Sequence, residues 1–310
     1  MNSISPRKLQ AANRAKSIEL LFGMGILVGI VVWAAMNYFG RTTVGVIPIA
    51  IGISLISVWG SYWASDKIVV RMTGAREITR EDNPRLFELV EETVAIVGIP
   101  MPKVAVVEDA APNAFATGRD PEHALIAFTT GILNAMDKEE LQGVTAHELS
   151  HVANRDTLVS AVAATTAGAI AILSDFLMNM LWWGGGRNRN NDNNQNPLTI
   201  VVSFVVLMLA PLAAILLRSA ISRKREALAD ATAVSFTKNP AGLRKALEVL
   251  ARDNTVVQQK STSVAHIWIE SPLDGGSVSQ LFSTHPPIQE RIAILRAMET
   301  NPDLIPGNEG

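Results

Sequence analysis

The chain has 310 residues, 48% of them hydrophobic and only 18% charged, a balance that excludes an ordinary soluble enzyme and implies contact with lipid. A formal net charge of -2, with no clustering of basic residues on one face, argues against nucleic acid as a partner. No cysteine is present, which excludes a disulfide framework, an iron–sulfur centre and thiolate-bound zinc, suits a reducing compartment, and leaves histidines and carboxylates to bind any metal.

Taken in chain order, the first element is the apolar run Ser17 to Gly40, between Lys16 and Arg41. It exceeds the roughly 20 residues needed to cross hydrocarbon as a helix. A cleaved signal peptide is the poorer reading, because the run is long and a second one, Thr42 to Ser65, follows at once. The two read as a transmembrane hairpin. Asn83 followed by Pro84 predicts a helix start, with Leu86, Leu89, Val90 and Val94 as its buried stripe and Gly98 to Pro100 as its stop. Lys103 to Val107 and Ala124 to Thr129 are short β-rich runs separated by the polar turn Thr117 to Pro121, expected to form two or three antiparallel strands. Asp137 and Glu140 form a capping box ahead of a helix through Leu141, Val144, Leu149 and Val152.

A third apolar run extends from Thr157 to Trp183 with Asp175 inside it, and a fourth from Leu198 to Leu217; a Gly/Asn-rich loop, Gly184 to Pro197, joins them. Helices packed against protein or lying partly in the membrane are the alternative for these two runs. Lys and Arg flank the first, second and fourth runs on one side, as Arg7, Lys8, Arg14 and Lys16, then Lys67, Arg71, Arg76 and Arg80, then Arg218, Arg223, Lys224 and Arg225. The positive-inside rule places both termini and both large polar regions in the cytoplasm. Beyond the fourth run, helices are expected over Arg223 to Phe236, from Asn239-Pro240 through Leu250, and from Thr284 to Met298, with a strand near Val264 to Ile269. The fold class is therefore mostly α with a small β-sheet and about four hydrophobic helices. Its sections are a hairpin (1–65), a first polar half (66–156), two further hydrophobic helices (157–217) and a second polar half (218–310), the two polar halves sharing one core.

The chemistry lies in His147-Glu148-Leu149-Ser150-His151. Histidines four apart share one helix face, so both imidazoles can meet one ion, and zinc is its natural occupant, one per chain. A catalytic zinc needs a third protein ligand. Glu226 and Asp230, also four apart on an expected helix, are the candidates; spacing alone leaves open which one ligates and which orients a histidine through its other ring nitrogen. Glu148 is the general base for a water polarised by the metal. Only Val152 to Asp156 separates this motif from the third apolar run, roughly 8 Å at about 1.5 Å per residue, so the metal is expected beside the bilayer. Trp33, Trp59, Trp63, Trp182 and Trp183 suit the headgroup region. His123 and His266 have no assigned role.

These residues carry a resemblance. The N-terminal hairpin, Asn113-Ala114-Phe115-Ala116-Thr117-Gly118, Thr130-Gly131-Ile132-Leu133, His147 to Asp156, Arg225 to Asp230, and Thr284-His285-Pro286-Pro287 before Arg291 together resemble the HtpX heat-shock proteases of the M48 group of integral-membrane zinc peptidases, which also includes the CAAX prenyl protease. The likeness covers most of the chain. It implies a membrane-embedded zincin-like metalloprotease fold, Glu226 as third zinc ligand, Asp230 as the group supporting a ligand, Arg291 as a partner of a buried carboxylate such as Asp230, and His285 as an oxyanion donor or substrate-orienting residue. It also implies that Asn113, Ala114 and Phe115 and the strand residues Ala124, Leu125, Ile126, Ala127 and Phe128 border a cleft where an exposed strand edge pairs with substrate, with core packing as the alternative for Phe115. The implied activity is cleavage of misfolded or damaged membrane proteins on the cytoplasmic side of a bacterial inner membrane, as part of stress-response quality control, with membrane proteins and lipid as partners and self-association or quality-control partners compatible with it. Two other readings remain, a zinc-stabilised membrane adaptor or chaperone that does not cut, and a prenyl-protein endopeptidase.

Overall fold

The structure, a computed structural model, describes residues 15, 18–19, 22–23, 25–34, 46–155, 157, 201, 205, 225–253, 268–269 and 286–307. The third and fourth apolar runs lie outside the described residues apart from Thr157, Val201 and Val205. So does the Gly/Asn-rich loop. Residues 25–34 are helical. Helix α1, Val46–Thr73, begins in the second apolar run and continues past its end at Ser65, so the charges at Asp66, Lys67 and Arg71 interrupt the hydropathy without ending the helix. The 65/66 section boundary thus falls inside a continuous helix. Its C-terminal turns pack Val69, Val70 and Met72 against the sheet, while Leu55, Ile56, Trp59 and Trp63 stand exposed. Among the described residues no helix is long and apolar enough to cross a membrane.

The sheet has β1 (Arg76–Glu77), β2 (Lys103–Val107), β3 (Ala114–Thr117) and β4 (Leu125–Thr129) in the order β1-β2-β4-β3. The expectation of antiparallel strands is corrected for the central pair. β2 and β4 run parallel, Lys103 opposite Leu125 and Val107 opposite Thr129, because the connection between them contains β3, which reverses and pairs antiparallel with β4. Both faces of this sheet are buried. Val104, Val106, Ala114, Ile126 and Phe128 enter one core, while their strand neighbours Ala105, Val107, Phe115, Leu125 and Ala127 enter a second one against α1, the two-residue alternation of a pleated strand.

Helices cover the first face. In α2, Pro84–Val97, the Asn83 side chain accepts from the Leu86 N–H and Gly98 closes the helix in a left-handed conformation at φ 76, as Asn-Pro and Gly at these positions dictate. A short helix α3, Thr130–Ala135, leads to α4, Lys138–Ala153, whose capping box is complete: Asp137 accepts from the Glu140 N–H, and the Glu140 carboxylate accepts from the Asp137 N–H, both at 2.9 Å. Residues 225–237 form α5. Asn239 caps α6, Pro240–Arg252, and α7 spans Ile288–Thr300. One core draws on residues from Ile78 to Leu149 and from Ala233 to Ile305.

α4 meets α6 at two glycines. A Cβ on Gly143 would fall 2.5 Å from the Leu243 nitrogen, and one on Gly242 would fall 2.8 Å from the Glu139 carbonyl oxygen. The backbones can approach this closely only because neither residue carries a side chain. Lys245 and Asn239 then both reach Glu139 at the start of α4.

Candidate metal centre

Every residue of α4 from Gly143 to Ser150 is buried, because the helix runs between α2, α6 and β3. Such a helix is enclosed on more than its apolar stripe, so its polar side chains must find internal partners. Thr145 and Ser150 donate to carbonyls four residues back. His147, Glu148 and His151 instead face α5.

There the Nε2 atoms of His147 and His151 stand 3.3 Å apart, and the Glu226 carboxylate spans the pair, Oε2 3.5 Å from His147 Nε2 and Oε1 3.5 Å from His151 Nε2. A tetrahedral ion bound at about 2.0–2.1 Å holds its ligand atoms about 3.3–3.4 Å from one another. One ligand atom from each of the three residues thus lies within 4.8 Å of the others, near the edge lengths of such a site, and their type, two imidazoles and one carboxylate, suits zinc with a fourth position left open. His151 is the partly exposed member of the set, which leaves an approach from that side.

The surrounding residues hold this face in place. Asp230 Oδ1 lies 2.9 Å from His147 Nδ1, though off the ideal N–H line; a carboxylate only accepts, so Nδ1 carries the hydrogen and the Nε2 lone pair is left for a metal. Arg291 grips Asp230 with two parallel hydrogen bonds, Nε to Oδ2 at 2.8 Å and Nη2 to Oδ1 at 2.7 Å. The same guanidinium approaches Glu226 at 3.7 Å. Burial opposes the Asp230 charge, but Arg291 and His147 outweigh it and bring its pKa down to about 2. Arg291 is held charged well above its ordinary value, since Asp230, Glu226 and Glu148 overcome its own burial. Burial also opposes a charged His147, yet its hydrogen bonds with Asp230 and Glu226 win and raise its pKa. Glu148 is raised chiefly by burial, with the Glu226 charge adding to this and His147, His151 and the Ala116 backbone N–H pulling the other way.

Of the expected site residues, His147, His151, Glu226, Glu148, Asp230 and Arg291 thus meet at one place. His285 and His266 lie outside the described residues, as does Asp156. His123 pairs with Asp120 away from this centre.

The cleft residues are rearranged. Ala124 to Phe128 were expected to offer an exposed strand edge, but β4 is paired on both sides, to β2 and to β3, so Leu125, Ile126, Ala127 and Phe128 have no free backbone edge and their side chains fill the two cores. Phe115 is fully buried, edge-on to Trp268 at 4.9 Å between ring centroids; it packs and does not line a cleft. The strand at this edge of the sheet is β3, a short buried strand whose composition, Ala-Phe-Ala-Thr, is its only mark in the sequence. Its Ala116 N–H, which reaches Glu148, went unforeseen because a backbone donor leaves no mark in side-chain identity.

Comparison with known proteins agrees with this geometry. The profile of peptidase family M48 matches residues 80–299. The chain belongs to this family. Among curated relatives, a protease HtpX homologue of Syntrophobacter fumaroxidans is 45% identical over 81% of this chain and 89% of its own length, and one from Dictyoglomus turgidum is 40% identical over 93% of each. These place the chain among the HtpX proteases of family M48, and it is a metalloprotease. The crystal structure of S. mikatae Ste24p shares the fold, with a TM-score of 0.51 at 20% identity over 93% of this chain; the chain spans 66% of that protein's length.

Proposed function

We propose that this M48 protease is a membrane-bound zinc endopeptidase that cuts misfolded or damaged membrane proteins on the cytoplasmic side of a bacterial inner membrane. The observation that carries the reading is the triangle of His147, His151 and Glu226, with the buried Glu148 carboxylate between it and the edge of β3. His147, His151 and Glu226 would hold the zinc, which when bound supplies Lewis-acid polarisation of a water and of the scissile carbonyl.

The remaining work falls to the chain's own residues. Asp230, clamped by Arg291, keeps the His147 hydrogen on Nδ1 and its lone pair toward the site. Glu148 takes a proton from the attacking water, holds it on its carboxylate, and delivers it to the leaving amine nitrogen as the carbon–nitrogen bond breaks. Burial suits Glu148 to this double role, because it pushes the carboxyl's pKa up and so strengthens it as an acceptor of the water's proton. The outer edge of β3 at Ala116 pairs with an extended substrate backbone and brings its scissile carbonyl alongside Glu148.

Membrane attachment is supported by the exposed Ile18, Phe22, Ile26 and Ile30 near the N-terminus, by the exposed Leu55, Ile56, Trp59 and Trp63 on α1, and by the four apolar runs of the sequence. The turn beyond β3 touches α1 directly, with the Arg119 guanidinium 4.8 Å over the Trp63 ring, so the substrate edge is tied to the helix that would carry the tryptophan anchors. The decisive experiment compares parent and Glu148→Gln protein at equal zinc content, in liposomes, on a misfolded membrane protein and on casein. Parent cleavage that favours the membrane client and disappears in the variant is expected. Equal cleavage by the two proteins would refute the hydrolytic role, and equal preference for casein would refute the membrane-client role.

A further inference from the structure

β3 pairs with β4 through Asn113, Phe115 and Thr117, so the peptide groups of Ala114 and Ala116 point off the opposite, outer edge, on which no further strand lies among the described residues. They are not equally available. The Ala116 backbone lies near enough to Glu148 to pull its pKa down, which puts that peptide beside the proposed general base. The Ala114 carbonyl already accepts a 2.9 Å hydrogen bond from the Ile269 N–H, and the Ala114 N–H donates to the Asn113 side chain.

Trp268 and Ile269 are seated there as a strand would be. Trp268 is fully buried with Phe115 in the core on the α1 side, while Ile269 is buried with Ala114 in the core on the other side, the alternation of consecutive strand residues. The Ile269 carbonyl accepts from Arg291 Nη1 at 3.5 Å, and that guanidinium is itself fixed by Asp230. The dipeptide therefore occupies the place a substrate backbone would take if it ran along β3 past Ala114.

We propose that Trp268–Ile269 is a built-in plug on the β3 edge and determines specificity by limiting how far substrate extends on one side of the scissile bond. This rests on the reading that substrate pairs with β3 at Glu148. Ala116 stands two strand positions from the blocked Ala114, about 7 Å at roughly 3.4 Å per residue, so about two substrate residues fit on the closed side. On the other side the Gly118 carbonyl is held only by a side chain, the Thr157 hydroxyl at 3.0 Å, and no backbone bond among the described residues blocks pairing there.

The test uses zinc-loaded full-length protein in detergent and two peptide series around one cleaved bond, lengthened a residue at a time toward the N-terminus or toward the C-terminus. One series should gain about two- to tenfold in kcat/KM for each residue that adds a net backbone hydrogen bond, and the other should stop gaining after about two residues. Ile269→Pro removes the N–H that occupies Ala114, and Trp268→Ala unseats the dipeptide; either should let the short series go on gaining. Equal gains on both sides in the parent overturn the proposal, as does an unchanged stopping point in variants that keep parental melting temperature and zinc content. Failure of the parent to cut any peptide, or undiminished cleavage by Glu148→Gln, would instead strike the protease reading on which the plug depends.

Discussion

Asp230→Asn isolates the charge that organises the metal centre, because asparagine keeps the shape of the side chain while removing its negative charge. In the parent, Asp230 is buried, receives two hydrogen bonds from Arg291 and lies 2.9 Å from His147 Nδ1. Its pKa falls from an ordinary 3.8 to about 2, and at about 1.4 kcal/mol per unit this corresponds to about 2–3 kcal/mol of stability at neutral pH. The cost of the substitution should reach that value or exceed it, since Arg291 stays buried without its counter-charge. Zinc affinity should fall about 10- to 100-fold, as is typical when the partner of a ligating histidine is altered. Because the folded pKa lies below the unfolded one, the contribution is complete above about pH 4 and is lost as pH drops toward 2; the variant should lack that acid-dependent portion. Chelator competition for zinc and urea unfolding across pH 2 to 7 measure both quantities. Zinc affinity within threefold of the parent, together with an unchanged acid profile, would show that Asp230 neither orients His147 nor carries a stabilising charge.

Four further outcomes are expected. Glu148→Gln should bind zinc like the parent while losing about 100- to 10,000-fold in peptide hydrolysis, the usual range for removing a general base; metal analysis beside a peptide assay checks it. Glu226→Ala should lose zinc at chelator concentrations the parent survives, and the activity of chelator-stripped parent should return on adding zinc, whereas activity that persists without metal refutes the ligand set. The raised pKa of His147 means that zinc must displace a proton from metal-free protein, so binding should release protons and tighten with rising pH until the ring is neutral; calorimetry in buffers of different ionisation enthalpy reads this directly. Gly143→Ala should destabilise the fold by about 1–3 kcal/mol, because its new methyl meets the Leu243 backbone and not a side chain that could turn away; an unchanged melting temperature would contradict the close crossing of α4 and α6.

Much of the centre was legible in the residues because helical spacing is a local rule. His147 and His151 must share a face whatever surrounds them, Asp137 with Glu140 and Asn83 with Pro84 announce helix starts without help from tertiary contacts, and Glu226 and Asp230 are paired by the same period. The division of labour between those two carboxylates was not legible from spacing. It depends on where α5 lies against α4, which sets Glu226 toward both Nε2 atoms and Asp230 toward the Nδ1 of His147.

The sheet shows the opposite case. Hydrophobic strand residues read the same in an edge strand and in a central one, so nothing in Ala124 to Thr129 speaks against the substrate-pairing edge that the resemblance implies, whereas the order β1-β2-β4-β3 puts β4 inside the sheet and β3 at an edge. Nor could any local pattern place Trp268 and Ile269 on Ala114, more than 150 residues away in the chain. Sequence by itself determined the metal-binding chemistry and the helices that present it, since both follow from side-chain identity at fixed short spacings. Tertiary structure alone decided which carboxylate faces both imidazoles, which strand lies at the edge beside them and what is seated on it, because each is a contact between segments whose separation along the chain carries no periodic signal.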